Sequence, residues 1–203
     1  MTPFLTALFG LLTLLVGVAV VAGLGLALIV WRGGTVPPLV ARTVGAHGLG
    51  AIAAVSGVAT LGSLYYSEIA GFVPCDLCWF QRIFAYPIAV LATLALVGHV
   101  RRLRVEPGRL PGRHIWQQVV PLAALGLPIA IYHVLIQRLP TLDAGMCDPS
   151  VPCSAIWVQQ FGFITIPWMA GTVFAFVLVV ALLVRLAARA PRTTKTEEGT
   201  IAP

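Results

Sequence analysis

Five stretches of this sequence are so long and so apolar that a lipid bilayer is the only setting in which they make sense. They run Leu5 to Trp31, Val44 to Ser67, Trp79 to Val100, Ile115 to Gln137 and Phe161 to Val184. A bilayer core takes roughly 20 apolar residues per helix. Lipid offers no partner for free backbone groups, so each segment must satisfy its own backbone as a helix. Nothing here alternates as a membrane barrel strand does. The whole chain is 59% hydrophobic and 10% charged, outside the range of ordinary soluble domains. The first segment carries no charge, follows no basic leader and leads into no clean cleavage site, so it reads as a retained helix rather than a signal peptide.

Lysine and arginine in short connections mark the cytoplasmic side. Arg32 and Arg42 follow the first segment. Arg101, Arg102, Arg104, Arg109 and Arg113 follow the third. Arg185, Arg189, Arg192 and Lys195 lie in the tail, making eleven of the thirteen basic residues on one side. The expected protein is therefore an all-α integral membrane protein with five spans, its N-terminus outside and its C-terminus inside. The net charge of +6 is accounted for by this asymmetry and calls for no nucleic-acid partner. His47, His99 and His114 read as interfacial or cytoplasmic residues.

Against this background the four cysteines stand out. Cys75 and Cys78 form a C-x-x-C at the edge of the third segment, and Cys147 and Cys153 share a polar loop before the fifth. Both pairs fall on the outer side, where disulfides persist. Cys78 is expected in the first turn of a helix, a place that favours a thiolate. Arg82, four residues on, shares its helix face. That arginine has no topological reason to be there, and an arginine costs roughly 3 kcal/mol at a membrane centre and less near the interface. The prolines and serine between Cys147 and Cys153 preset a tight turn. A disulfide in either pair closes a very short ring, constraining the unfolded chain by only about 2 kcal/mol. Short, exposed disulfides are the exchange-prone kind. Two other readings stay open from the residues: a zinc site, for which the second spacing is wider than usual, and inert structural disulfides on a channel or scaffold. A thioredoxin domain is excluded for lack of a soluble strand-helix framework.

The run Ser67 to Ile83, with Pro74-Cys75-Asp76-Leu77-Cys78-Trp79-Phe80-Gln81-Arg82 at its core and Tyr86-Pro87 after it, resembles the signature of the disulfide bond formation protein B family (DsbB). It is most similar to the BdbC branch, as are Tyr132-His133, Val151 to Ser154 and Phe161 to Pro167. The resemblance covers roughly residues 45–185. It implies a four-helix transmembrane bundle in the bacterial cytoplasmic (inner) membrane, with its cysteine loops on the extracytoplasmic side. Residues 44–190 would form this domain, residues 1–43 an extra N-terminal helix with its link, and residues 191–203 a disordered cytoplasmic tail.

The same resemblance implies a thiol:quinone oxidoreductase. Its partner would be an extracytoplasmic thioredoxin-fold thiol oxidase of DsbA/BdbD type, and its cofactor a quinone, menaquinone or ubiquinone; no metal is implied. The partner would attack Cys147, the freed Cys153 would attack Cys75, and Cys78 would emerge as a thiolate against the quinone beside Arg82. His133 is a candidate to hydrogen-bond quinone or move a proton, and Trp79 to wall the quinone site. Glu68 is a candidate to take a proton or pair with Arg82, and Gln81 is given no role. Two departures stand out: the extra helix Leu5 to Trp31, which either packs beside the bundle or covers the quinone groove, and the closeness of Cys147 to Cys153. A vitamin K epoxide reductase-like enzyme is an alternative, but there the loop pair precedes the C-x-x-C.

Overall fold

Proline and glycine set most of the helix boundaries. In a computed structural model, which describes residues 2–103 and 113–189, helix α1 spans Thr2–Trp31 and stops where Gly33 takes a left-handed φ of 99°. Pro37 and Pro38 then start α2, Pro38–Leu64, since proline at the first helical position gives up an amide that would have no partner anyway. One π-helical turn, Tyr65–Ile69, extends α2. Gly71, at φ 72°, ends that extension. Helix α3 follows at Asp76–Leu103, α4 at Arg113–Arg138 and α5 at Ile166–Arg189, with a short 3-10 turn at Pro140–Leu142.

All five long helices are apolar enough to cross a membrane, and at ~1.5 Å per residue each is long enough. Three prolines lie inside helices, Pro87 in α3 and Pro121 and Pro128 in α4. Each removes one backbone hydrogen bond, a defect that membrane helices tolerate when neighbours cover it. The fifth segment begins later than its hydropathy suggests. Phe161 and Gly162 are both left-handed, at φ 51° and 78°, and fold Gln160 back onto Ile164. A right-handed helix cannot continue through two such residues, so α5 begins only at Ile166, where Pro167 presets its first turn. The tail at 191–203, Arg104, Arg109 and the tail cations Arg192 and Lys195 lie outside the described residues.

Helices α2, α3, α4 and α5 pack in a closed ring, and α1 lies along the outside of α5. The ring encloses Ile52, Ile88, Ala92, Val119, Ala123, Phe174 and Val177. Small residues let the helices approach, as they must where lipid competes for every apolar contact. Gly126 on α4 is the sharpest case: a Cβ there would sit 2.5 Å from the ring of the fully buried Phe174 on α5. Outside the ring, Leu11, Leu15, Val18 and Val21 of α1 are exposed, as lipid-facing side chains are. The starts of α1, α3 and α5 and the ends of α2 and α4 gather at one end, which carries all four cysteines. Overpacking of this kind costs about 1–3 kcal/mol. Gly126→Val should therefore lower the thermal unfolding midpoint in detergent, and adding Phe174→Leu should restore part of the loss.

Candidate active site

Cys75 immediately precedes α3. Its carbonyl accepts the first helical hydrogen bond, from the Trp79 N–H at 3.1 Å. It is therefore the N-cap, a position from which a side chain can accept the otherwise unpartnered amides of the first turn. Cys78 lies in the first turn of α3, as the sequence predicts, with its Sγ 2.9 Å from Cys75 Sγ; the capping position itself belongs to Cys75. Both are free thiols, whereas Cys147 and Cys153 are joined in a disulfide.

The loop carrying that disulfide is tied down onto α3. Asp76, the first residue of the helix, accepts the Asp148 N–H at 2.9 Å. Asp148 in turn accepts from the N–H and hydroxyl of Ser150 at 2.8 and 2.7 Å, closing the turn between the two cysteines. Those bonds hold the exposed Asp148 carboxyl below its usual range. Cys75, Cys147 and Cys153 are buried together against Leu77 and Ile136. Ligand atoms of Cys75, His133 and Cys153 all lie within 4.8 Å of one another. Such a group has a metal-like spacing, but the sulfur of Cys153 is bonded to Cys147 and is not a thiolate donor.

His133, only 1% exposed on α4, joins the two pairs. Its Nε2 lies 3.1 Å from the Cys153 carbonyl and 3.7 Å from Cys75 Sγ. A carbonyl can only accept, so Nε2 carries the proton and can donate to either group. Nδ1 is then free to accept from the Gln81 side-chain amide at 3.0 Å. Gln81 is itself buried, and it fixes the orientation of the ring. Together these donors act on Cys75. The hydrogen bond from Cys78 is the largest influence, His133 adds to it against the opposing effect of burial, and the Cys75 thiol is drawn down to about 4.

Arg82 is held by α2 rather than by a carboxylate. Its Nε donates to Ser63 Oγ at 3.1 Å and an Nη to the Ser63 carbonyl at 3.2 Å. Tyr86 donates to the same Ser63 Oγ. The guanidinium lies 5.1 Å from the centroid of the Trp79 ring. Trp79 itself is half exposed and carries Arg82 on its face. Glu68 does not meet Arg82; it is exposed and accepts the Ser67 hydroxyl at 2.9 Å.

Beside Cys78 and Arg82 opens a cavity of about 340 Å³ lined by α1, α2, α3 and α5 and by the loops on either side of them. Its walls are mostly apolar, with Gln81, Arg82 and Cys78 on the α3 side. A row of rings runs along the cysteine end: Phe9 edge-on to Tyr66 at 5.7 Å, Tyr66 stacked on Phe72 at 5.7 Å, and Phe72 stacked on Trp157 at 5.3 Å.

Residues 46–184 match the model of the disulfide bond formation protein DsbB family. The chain belongs to the DsbB family. It is 38% identical to the disulfide bond formation protein C of Bacillus subtilis over 130 residues, which is 64% of this chain and 84% of that protein. Over 129 residues, 63% of this chain and 81% of the relative, it is also 38% identical to a probable disulfide formation protein of Oceanobacillus iheyensis. A third relative, the SPbeta prophage-derived disulfide bond formation protein B of Bacillus subtilis, is 38% identical over 124 residues, 61% of this chain and 75% of its own. These relatives place the chain in the BdbC branch. No solved structure matches. Family membership implies disulfide oxidoreductase activity, and the cysteine cluster is its redox centre.

The cavity's residues fit the quinone that DsbB proteins are known to use. Its walls are apolar, a cation and a thiol meet on one side of it, and the buried hydroxyls of Thr60 and Tyr66 in its lining have no hydrogen-bond partner among the described residues. Sequence reading assigned Gln81 no role, carried Tyr86 only as part of the family signature, and did not mark Ser63, Tyr66 or Trp157. Gln81 left a signal, as a polar residue one position before Arg82 inside an apolar helix.

The Cys75 shift carries a pH prediction. An ordinary thiol titrates near pH 8.5, so the lowered value stabilises the folded dithiol form fully above that pH. The contribution is lost progressively as pH falls toward the folded value of about 4. Thiolate absorbance of the dithiol form should therefore persist down to about pH 4. Cys78→Ala should raise the midpoint more than His133→Ala, following the order of the two influences.

Proposed function

We propose that this protein is a membrane thiol:quinone oxidoreductase that reoxidises an extracytoplasmic thioredoxin-fold thiol oxidase of DsbA/BdbD type. The observation that carries the reading is the position of Cys75 Sγ. It lies 2.9 Å from Cys78 Sγ on one side and within 4.8 Å of Cys153 Sγ on the other, while Cys78 borders the cavity. The sulfurs form a chain from the loop to the cavity.

From the fully oxidised protein, the partner's thiolate attacks Cys147, forming a mixed disulfide and releasing Cys153 as a thiolate. The partner's second thiol then breaks that mixed disulfide, leaving as an oxidised protein and leaving Cys147 reduced. Cys153 attacks Cys75 of the Cys75–Cys78 disulfide, and Cys78 leaves. Cys147 attacks Cys153, reforming the loop disulfide and releasing Cys75. Each step exchanges one sulfur–sulfur bond for another. The result is a disulfide at Cys147–Cys153 and two thiols at Cys75 and Cys78, the same pairing found here.

Cys78, Arg82 and Gln81 would hold a quinone at the α3 side of the cavity, with the apolar wall receiving the rest. A quinone bound there, menaquinone or ubiquinone, supplies a two-electron, two-proton acceptor whose use returns Cys75 and Cys78 to a disulfide. Arg82, fixed in place by Ser63, offers a positioned positive charge to developing negative charge without reorganising. His133 carries its proton on the side facing Cys75, where a leaving sulfur needs a donor. The reading places the cysteine end outside the cytoplasm, consistent with the basic residues at the other ends of the helices, and treats residues 44–190 as the oxidoreductase domain.

The test is to trap the partner. Cys153→Ser should accumulate a mixed disulfide through Cys147 with an extracytoplasmic thioredoxin-fold protein, identified by mass spectrometry. Cys78→Ser should abolish quinone reduction, and Cys147→Ser should block oxidation of the partner. Arg82→Gln should lower kcat for quinone reduction on the order of a hundredfold. Normal partner turnover by Cys147→Ser would overturn the assigned order.

A further inference from the structure

Helix α1 lies outside the residues that match the family, which begin at position 46, and none of the exchange steps uses it. Yet it forms one side of the cavity. Phe9, Leu12, Thr13 and Val16, spaced to share one helix face, all line it. Thr13 spends its hydroxyl on the Phe9 carbonyl at 2.8 Å, so this wall offers no free donor. Cys78, Gln81 and Arg82 are opposite, on α3.

The seat of α1 is specific. A Cβ on Gly23 would come 2.4 Å from Val179 Cγ1 on α5, and one on Gly10 would come 3.0 Å from Gln160 Cβ. Only glycine allows that approach at Gly23. Val20 packs with Val179 and Leu183 along the same seam. Across the cavity, the Phe9 ring rests on α2, 3.2 Å from where a Cβ on Gly62 would be. Helix α1 thus lies along α5 and reaches over to α2 through Phe9, walling the cavity from outside the four-helix ring.

We infer that α1 is the closing wall of the quinone cavity, and that Phe9 determines how tightly the chain holds a lipid-soluble quinone. This rests on the cavity being the quinone site. The apolar face of α1 receives the ring face or the first part of the isoprenoid tail, while Arg82 and Cys78 meet the polar edge. Helix α1 takes no part in thiol–disulfide exchange; its role is to retain and select the acceptor.

The experiment measures binding rather than turnover. The full-length protein, in detergent, is titrated with a short-chain menaquinone analogue, and the dissociation constant is read from quenching of tryptophan fluorescence. Phe9→Ala should weaken binding on the order of tenfold, equivalent to about 1.4 kcal/mol. Gly23→Leu, which pushes α1 off α5, should weaken it at least as much. Val18→Ala, on the exposed face of α1, should bind as the parent does. Parent-like affinity in Phe9→Ala would overturn the inference even if Gly23→Leu fails to fold. If the parent protein itself binds no quinone, the quinone reading of the cavity falls, and the role given to α1 falls with it.

Discussion

The architecture at the cysteine end depends on one sulfur atom being held at a helix start. Cys75 is the N-cap of α3, so its side chain faces the unpartnered amides of the first turn, and the Cys78 N–H is among the groups acting on it. The Cys78 thiol and the His133 ring add donors from two other directions. Three elements must be in register for this to occur: the first turn of α3, the last turns of α4, and the loop that presents the Cys153 carbonyl to His133. A slip in any of them would leave a buried imidazole or a buried amide without its partner, which costs more than the bond itself contributes.

The membrane explains why the polar groups are so few and so closely paired. Within the spans, a hydroxyl such as Ser56 is satisfied by its own helix, through the Ile52 carbonyl at 2.6 Å. Arg82 cannot be satisfied that way, and its guanidinium takes both the hydroxyl and the carbonyl of Ser63 on the neighbouring helix. Tyr86 competes for the same hydroxyl and so helps to fix it. An arginine restrained in this manner is poorly placed to swing into headgroups. It stays beside the cavity, where a positive charge has an electrostatic use.

Hydropathy alone located all five helices, because apolar length is decided by the bilayer and not by tertiary contacts. The order of residues around Cys75–Cys78 made the family legible as well. What it did not reveal came from backbone events with no strong compositional mark. The late start of α5 follows from two left-handed residues, one of them a phenylalanine. The π-turn at Tyr65–Ile69 inserts one residue into the helical register and thereby turns Tyr66 inward. The Gln81–His133 bond joins residues 52 positions apart, and neither residue advertises the other. Helix α1 was plain as a span, but its position over the cavity depends on where glycines admit close approach, which hydropathy does not register.

The donors around Cys75 would also give the proposed relay a direction. In disulfide exchange a sulfur leaves more readily as its pKa falls, and attacks less strongly for the same reason. In the proposed relay, when Cys147 closes on Cys153 the sulfur that must leave is Cys75, whose thiol is already drawn down to about 4. Its departure is therefore easy. Once released, it is a weak nucleophile toward the loop disulfide it has just left, although the two lie within 4.8 Å. Closeness permits exchange in both directions, and stabilisation of the Cys75 thiolate opposes the return step. Under the proposed scheme, the groups that stabilise the Cys75 thiolate favour the reduced form of the Cys75–Cys78 pair, next to the cavity.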